Sequence, residues 1–177
     1  MKQKIYVYCG EGKGKTSAAL GLAVRAVCEG KTVYFIRFMK NRIESDVLKR
    51  LEPELKIFRF ERLPVAFDDM SEEERSEEKK NIQNGINFAH KALVTGECDM
   101  LVLDEVLGAV SEGVLEETVL LEALSKRGSE TSVILTGRNV SQGIVEVADY
   151  VYNIQSEKVT IQQREALAAE RLPSTKK

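Results

Sequence analysis

An apolar run, Ile5-Tyr6-Val7-Tyr8, leads directly into Gly10-Glu11-Gly12-Lys13-Gly14-Lys15-Thr16-Ser17. This order constrains the fold more than any other stretch of the chain. A strand that feeds a glycine-rich turn and then opens a helix aims backbone N–H groups and a helix N-terminus at one point. Such a point favours a polyphosphate. In a loop of this type the lysine reaches the phosphates and the hydroxyl after it holds Mg²⁺. Gly10, Gly12, Lys13, Gly14, Lys15, Thr16 and Ser17 are therefore expected to cradle the phosphates, with Lys15 a candidate catalytic residue and Thr16 a metal ligand. The strict pattern begins with a glycine. This chain has Cys9 at that position, so the loop is a variant.

Downstream, strand-like and helix-like segments alternate. Ile5 to Tyr8, Thr32 to Phe38, Leu55 to Phe60, Met100 to Leu103, Ser132 to Leu135 and Tyr150 to Ile154 are short and rich in β-branched or aromatic residues. They are mostly apolar on both faces, as strands covered by helices on two sides are. Helical spacing runs from Lys15 to about Cys28, with Ala19, Leu22, Ala23 and Ala26 on one face. A second helix starts at Ser71, where Ser71-Glu72-Glu73-Glu74 is a capping box; Ile82, Ile86, Ala89 and Leu93 mark its apolar stripe. Leu115 to Leu124 and Val140 to Val147 predict two more helices. Repeated β–α units predict an α/β fold of the P-loop, RecA-like kind: doubly wound, with a mainly parallel sheet of about six strands and helices on both faces. Residues 1–154 form the expected domain, and 155–177 a polar C-terminal tail.

Ligands on such a sheet bind at the carboxyl ends of its strands. Met100-Leu101-Val102-Leu103 ends in Asp104-Glu105. In P-loop proteins the strand beside the loop carries such an acid, and Mg²⁺ uses few carboxylates, so Asp104 and Glu105 are candidate metal residues. Ser132-Val133-Ile134-Leu135 ends in Thr136-Gly137-Arg138-Asn139, where Arg138 is a candidate catalytic residue able to contact phosphate or an acidic group. Arg37 and Lys40, near the end of the second strand, are candidates to face the site. Arg25 and His90 read as structural residues on helices. The acidic run Ser71 to Lys80 reads as a solvated helix face.

Composition narrows the function. The 177 residues are 43% hydrophobic and 31% charged, ordinary for one globular domain. A formal net charge of -2 provides no basic field for nucleic acid, and the tyrosines and phenylalanines look too scattered for a base-stacking platform. Cys9, Cys28 and Cys98 lack metal-site or disulfide spacing and read as reduced thiols. The beginning Met1-Lys2-Gln3-Lys4 has no apolar h-region and no run is long enough to span a bilayer, so a cytoplasmic location is expected. The guanine-reading Asn-Lys-x-Asp motif of GTPases and the zinc cysteines of thymidine-kinase-like enzymes are not present in the sequence. Small-molecule nucleotide chemistry is left.

Several blocks in order carry a family resemblance. Tyr8-Cys9-Gly10-Glu11-Gly12-Lys13-Gly14-Lys15-Thr16-Ser17-Ala18-Ala19-Leu20-Gly21, followed by Arg25-Ala26, resembles the ATP:corrinoid adenosyltransferases of the CobA/CobO/BtuR type. Arg37-Phe38-Met39-Lys40 is similar to that family's Gln-Phe-apolar-Lys, with Arg37 in place of the glutamine. Asp99 to Glu105, Ile134 to Asn139 and Glu146 to Asp149 match further blocks. The resemblance implies transfer of the 5′-deoxyadenosyl group of ATP to cobalt(I) of cobalamin or a related corrinoid, with triphosphate leaving. It implies ATP and a corrinoid as substrates, Mg²⁺ as cofactor, a homodimer, and an electron donor such as a flavoprotein as a possible partner. No nucleic-acid or membrane partner is implied. Phosphates would be held by Gly12, Lys13, Gly14, Lys15, Thr16 and Ser17, and Mg²⁺ by Thr16 and Glu105 with Asp104 near it. Phe67, in the loop from residue 64 to 70, would press under the corrin ring. The family's tryptophan beside that phenylalanine is not in this sequence, where Asp69 lies close by. Two other readings stay open on the residues alone: another P-loop ATP-dependent transferase or ATPase, and a nucleotide-binding regulatory module without transfer chemistry.

Overall fold

The computed structural model describes residues 4–38, 46–60, 70–128 and 130–157. Strands β1 (Ile5–Cys9), β2 (Val33–Arg37), β3 (Leu55–Arg59), β4 (Met100–Asp104), β5 (Ser132–Thr136) and β6 (Tyr150–Asn153) form one sheet. Every pairing is parallel and the order is β3-β2-β4-β5-β1-β6. Helices α1 (Lys15–Cys28), α2 (Asp46–Lys49), α3 (Glu72–Thr95), α4 (Val106–Ser111), α5 (Glu117–Ser125) and α6 (Gln142–Val147) connect them. The expected parallel α/β architecture is the one observed.

Two apolar clusters, one per face, hold the layers together. Along a strand successive side chains point to opposite faces. Val33, Phe35, Val102 and Ile134 thus meet Ala19, Ala23 and Ala26 of α1. Their neighbours Tyr34, Ile36, Leu101, Leu103, Val133 and Leu135 join Ile82, Ile86, Ala89 and Leu93 of α3 on the other side. Alanines at helical spacing keep α1 close to the sheet, which matters because α1 carries Lys15 and Thr16 at its first turn. The N-terminus of α3 is closed by the predicted capping box. Glu74 N donates to the Ser71 hydroxyl at 3.3 Å, and the Glu74 carboxylate accepts from Ser71 N at 2.8 Å.

Four expectations need correction. The strand carrying Asp104 is not beside the phosphate loop: β5 lies between β1 and β4. The last strand is not covered on both faces, since Tyr150 to Asn153 are all exposed at the sheet edge. The tyrosines are not scattered. Tyr6 stacks on Tyr150 at 5.3 Å and Tyr8 on Tyr152 at 4.9 Å, because β1 and β6 pair with exactly these residues abreast. Finally, the helix placed at Leu115 starts at Glu117, and Leu115 is a buried core residue preceding it.

Candidate active site

The phosphate loop is held open by backbone geometry. Gly10 has φ 102° and Gly14 φ 109°, values that favour glycine. A Cβ on Gly10 would collide with the Ile154 carbonyl oxygen, so no larger residue fits. Cys9, by contrast, is the last residue of β1 and has no positive φ. The turn begins one residue later than in the strict pattern, which is why a buried cysteine is accommodated there. Gly12 N donates to Ile154 O at 2.8 Å and Gly10 N to Arg138 O at 2.8 Å, tying the loop to the chain after β6 and after β5.

Lys15 folds over this loop. Its Nζ donates to Gly10 O at 2.6 Å and to Gly12 O at 2.8 Å. The ammonium therefore stands within the ring of loop amides, where a phosphate oxygen can exchange for the carbonyls. Lys13 and Ser17 are exposed.

Thr16 faces the sheet. Its hydroxyl donates to Asp104 Oδ1 at 2.9 Å, across the intervening strand β5. That strand contributes Thr136, whose hydroxyl donates to the same Oδ1 at 2.8 Å and accepts from Glu105 N at 2.8 Å. Thr136 was part of a motif block in the sequence, yet its hydroxyl had no role assigned; the signal for one is a threonine ending an otherwise apolar strand. Asp104 Oδ2 is buried and has no hydrogen-bond partner among the described residues. Its nearest cation is Arg37, with Nε 3.5 Å away. Of the two candidate carboxylates, Asp104 is the one that meets Thr16. A hydroxyl beside an orphaned carboxylate oxygen is a hard-oxygen donor set and fits Mg²⁺.

Glu105 sits at the head of α4 with φ 60°, the one non-glycine residue with positive φ among the described residues. Backbone held in that region is costly and marks a position fixed by its surroundings. Burial pushes the Glu105 carboxyl above its ordinary value, and the Asp104 charge adds to this, while Lys15 and Arg138 oppose it. Arg138 is exposed at the end of β5, near enough for its charge to reach Glu105. Arg25 pairs with Glu29 on the surface of α1, in keeping with a structural role, and His90 is half-buried on α3. Phe67 and Lys40 lie outside the described residues, as does residues 158–177 of the tail.

A family model described as ATP:corrinoid adenosyltransferase BtuR/CobO/CobP matches residues 1–170. The chain belongs to the ATP:corrinoid adenosyltransferase family. A corrinoid adenosyltransferase of Escherichia coli K12 is 32% identical over 154 residues, covering 87% of this chain and 77% of its own. The corrinoid adenosyltransferase CobA of Salmonella typhimurium LT2 is 32% identical over 155 residues with the same coverages. Among solved structures, a KaiC-like protein of Pyrococcus horikoshii OT3 superposes with a TM-score of 0.52 at 17% identity, over 89% of this chain and 75% of that one. That likeness concerns the fold, and it fits the RecA-like sheet order in which β5 separates the loop strand from the acidic strand. No helix among the described residues is long and apolar enough to cross a membrane.

Proposed function

We propose that this adenosyltransferase moves the 5′-deoxyadenosyl group of ATP to the cobalt of a reduced corrinoid, with inorganic triphosphate as the other product. The observation that supports this most is the ring formed by Lys15 Nζ and the carbonyls of Gly10 and Gly12 at the head of α1, facing the Thr16–Asp104 contact of 2.9 Å. The ammonium at the head of α1 suits a polyphosphate leaving group. The cobalt(I) lone pair forms the bond to C5′, the C5′–O5′ bond breaks, and its electron pair departs on the triphosphate. The protein then needs no covalent nucleophile. It needs orientation and charge compensation on the leaving group. Lys15, Lys13, Arg138 and the amides of Gly14, Thr16 and Ser17 are assigned to the phosphates. Thr16, Asp104 and Glu105 are assigned to Mg²⁺, which when bound neutralises phosphate charge. Such an ion would draw most of its remaining ligands from phosphate and water.

Phe67 is proposed to contact the corrin ring from below. A cytoplasmic homodimer, a domain covering residues 1–154 and a separate electron donor complete the reading. Phosphorus NMR after turnover with ATP and chemically reduced cobalamin should show tripolyphosphate and no ADP, while cobalt–carbon absorbance rises in parallel. ADP and phosphate, formed equally well without corrinoid, would place the chain among ATPases instead. For Phe67, cobalt(II) cobalamin with enzyme and ATP should give a four-coordinate spectrum; the full yield in Phe67→Ala would refute the contact.

A further inference from the structure

Arg37 occupies a position where the chemistry of the proposed site gains a charge that the phosphate loop does not supply. Register places it there. Arg37 of β2 stands abreast of Asp104 of β4, and both follow, by two residues, side chains packed against α1: Phe35 and Val102. Both therefore point to the α1 face, toward Thr16. The Arg37 side chain is 4% exposed and that of Asp104 1% exposed. Arg37 lines a small cavity with Thr16, Leu20, Phe35, Leu48 and Ile57, so its guanidinium is surrounded mostly by hydrocarbon. Its Nε and Nη2 have no hydrogen-bond partner among the described residues, and the Asp104 Oδ2 that it faces has none either.

A buried cation that makes so few hydrogen bonds is costly unless it does something for a nearby charge. Here the two oxygens of Asp104 are divided. Oδ1 accepts from Thr16 and Thr136, while Oδ2 lies 3.5 Å from Arg37 Nε. Oδ1 is thus hydrogen-bonded and Oδ2, without a hydrogen bond among the described residues, faces a cation before any ligand arrives. A divalent ion approaching Asp104 meets an existing positive charge, and that charge offsets most of the attraction the carboxylate would exert. Once triphosphate lies in the loop, its own negative oxygens dominate the field at the metal position, and the Arg37 charge matters far less.

We propose that Arg37 is a positioning residue that compensates Asp104 in the nucleotide-free enzyme, so that the metal position acquires useful affinity for a divalent cation only together with the triphosphate. The metal would then enter as a complex with ATP, and the empty site would not be filled by free ions in advance. This rests on the assignment of Thr16 and Asp104 to the metal made above.

Mn²⁺ binding followed by electron paramagnetic resonance, with and without ATP, tests it on the folded protein without any turnover. Wild type should bind Mn²⁺ weakly alone and much more tightly with ATP. In Arg37→Gln, nucleotide-free Mn²⁺ affinity should rise by about ten- to a hundredfold, the usual scale for a charged contact, while affinity in the presence of ATP changes by only a fewfold. A residue that merely fills the cavity would lower the melting temperature of the variant and leave the nucleotide-free Mn²⁺ isotherm where it was; that result overturns the proposal. Arg37→Lys keeps a cation at the end of β2 and should stay as weak as wild type without nucleotide. If it tightens, charge is not the cause and the proposal falls, whether or not Arg37→Gln folds. If wild type binds no Mn²⁺ even with ATP, the metal assignment itself fails and takes this inference with it.

Discussion

Thr136→Val is the substitution that most directly probes how the acidic half of the site is assembled. Thr136 is 0% exposed. Valine keeps the branched shape of threonine but replaces the hydroxyl with a methyl. Two hydrogen bonds disappear: Glu105 N loses its acceptor at 2.8 Å, and Asp104 Oδ1 loses a donor at 2.8 Å. The carboxylate keeps Thr16 on the same oxygen. Glu105 N, however, lies at the head of α4, where no preceding turn can supply another acceptor. A part-buried backbone N–H left without a partner costs about 1–3 kcal/mol, and a lost bond to a charged acceptor about 1.5–3. Some of the second figure is recovered through Thr16, so a net loss of about 2–4 kcal/mol is expected. In urea, with m near 2 kcal/mol per M, the unfolding midpoint should fall by about 1–2 M. Nucleotide affinity should fall as well, because Glu105 loses the bond that pins its positive-φ backbone. Equilibrium unfolding by circular dichroism with and without MgATP measures both. A midpoint within about 0.2 M of wild type would refute the reasoning, since it would mean that the hydroxyl is not bridging these groups.

Lys15→Ala should keep the fold and lose about ten- to a hundredfold in affinity for MgATP, the scale of one or two charge-assisted contacts; calorimetric titration measures it, and unchanged affinity would remove the phosphate-loop assignment. Glu105→Gln should raise the melting temperature of the nucleotide-free protein at pH 8. Burial raises the folded-state value of this carboxyl, so wild type has its full Glu105 contribution below the unfolded value of 4.5 and loses it as pH rises through the higher folded value. The advantage of glutamine should vanish on acidification toward pH 4.5; an advantage independent of pH would argue against the cause given. Asp149 accepts from Ile5 N at 2.8 Å and from Lys4 Nζ at 2.9 Å, and these contacts hold its carboxyl below the ordinary 3.8. Its contribution is present above that value and lost as pH falls through the lower folded one, so Asp149→Asn should flatten the acid limb of a stability–pH curve below about pH 4.

The phosphate half of the site was legible because its parts are consecutive. A strand end, a turn and a helix head need adjacent residues, and the types that serve each are distinctive: apolar before Cys9, glycine at Gly10 and Gly14, lysine and threonine at the head of α1. The capping box of α3 was legible for the same reason. Helix α2, of 4 residues, escaped because it completes barely one turn, and α4 because it follows β4 after one residue without a capping side chain, whereas α6, equally short, starts behind the N-cap Ser141. The exposure of β6 escaped because Tyr150, Val151 and Tyr152 count as apolar in any composition, whatever stands beside them.

The acidic half is a different kind of object. Asp104, Thr136 and Arg37 come from three strands, and what brings them within reach is the order β2-β4-β5 together with a register that sets Arg37 abreast of Asp104. Neither quantity is written in any local window. Each strand reads as apolar and buried wherever it is placed, so the residues alone do not choose between Asp104 and Glu105, the family resemblance favours Glu105, and Arg37 is left near the site without a partner. Packing breaks that equivalence. The period of two along β4 turns Asp104 to the α1 face, where Thr16 waits, while Glu105 leaves the strand with a positive φ to open α4. β5, inserted between loop strand and acidic strand, ends in Thr136, and its hydroxyl holds both Asp104 Oδ1 and the Glu105 N–H while Thr16 reaches Asp104 across it.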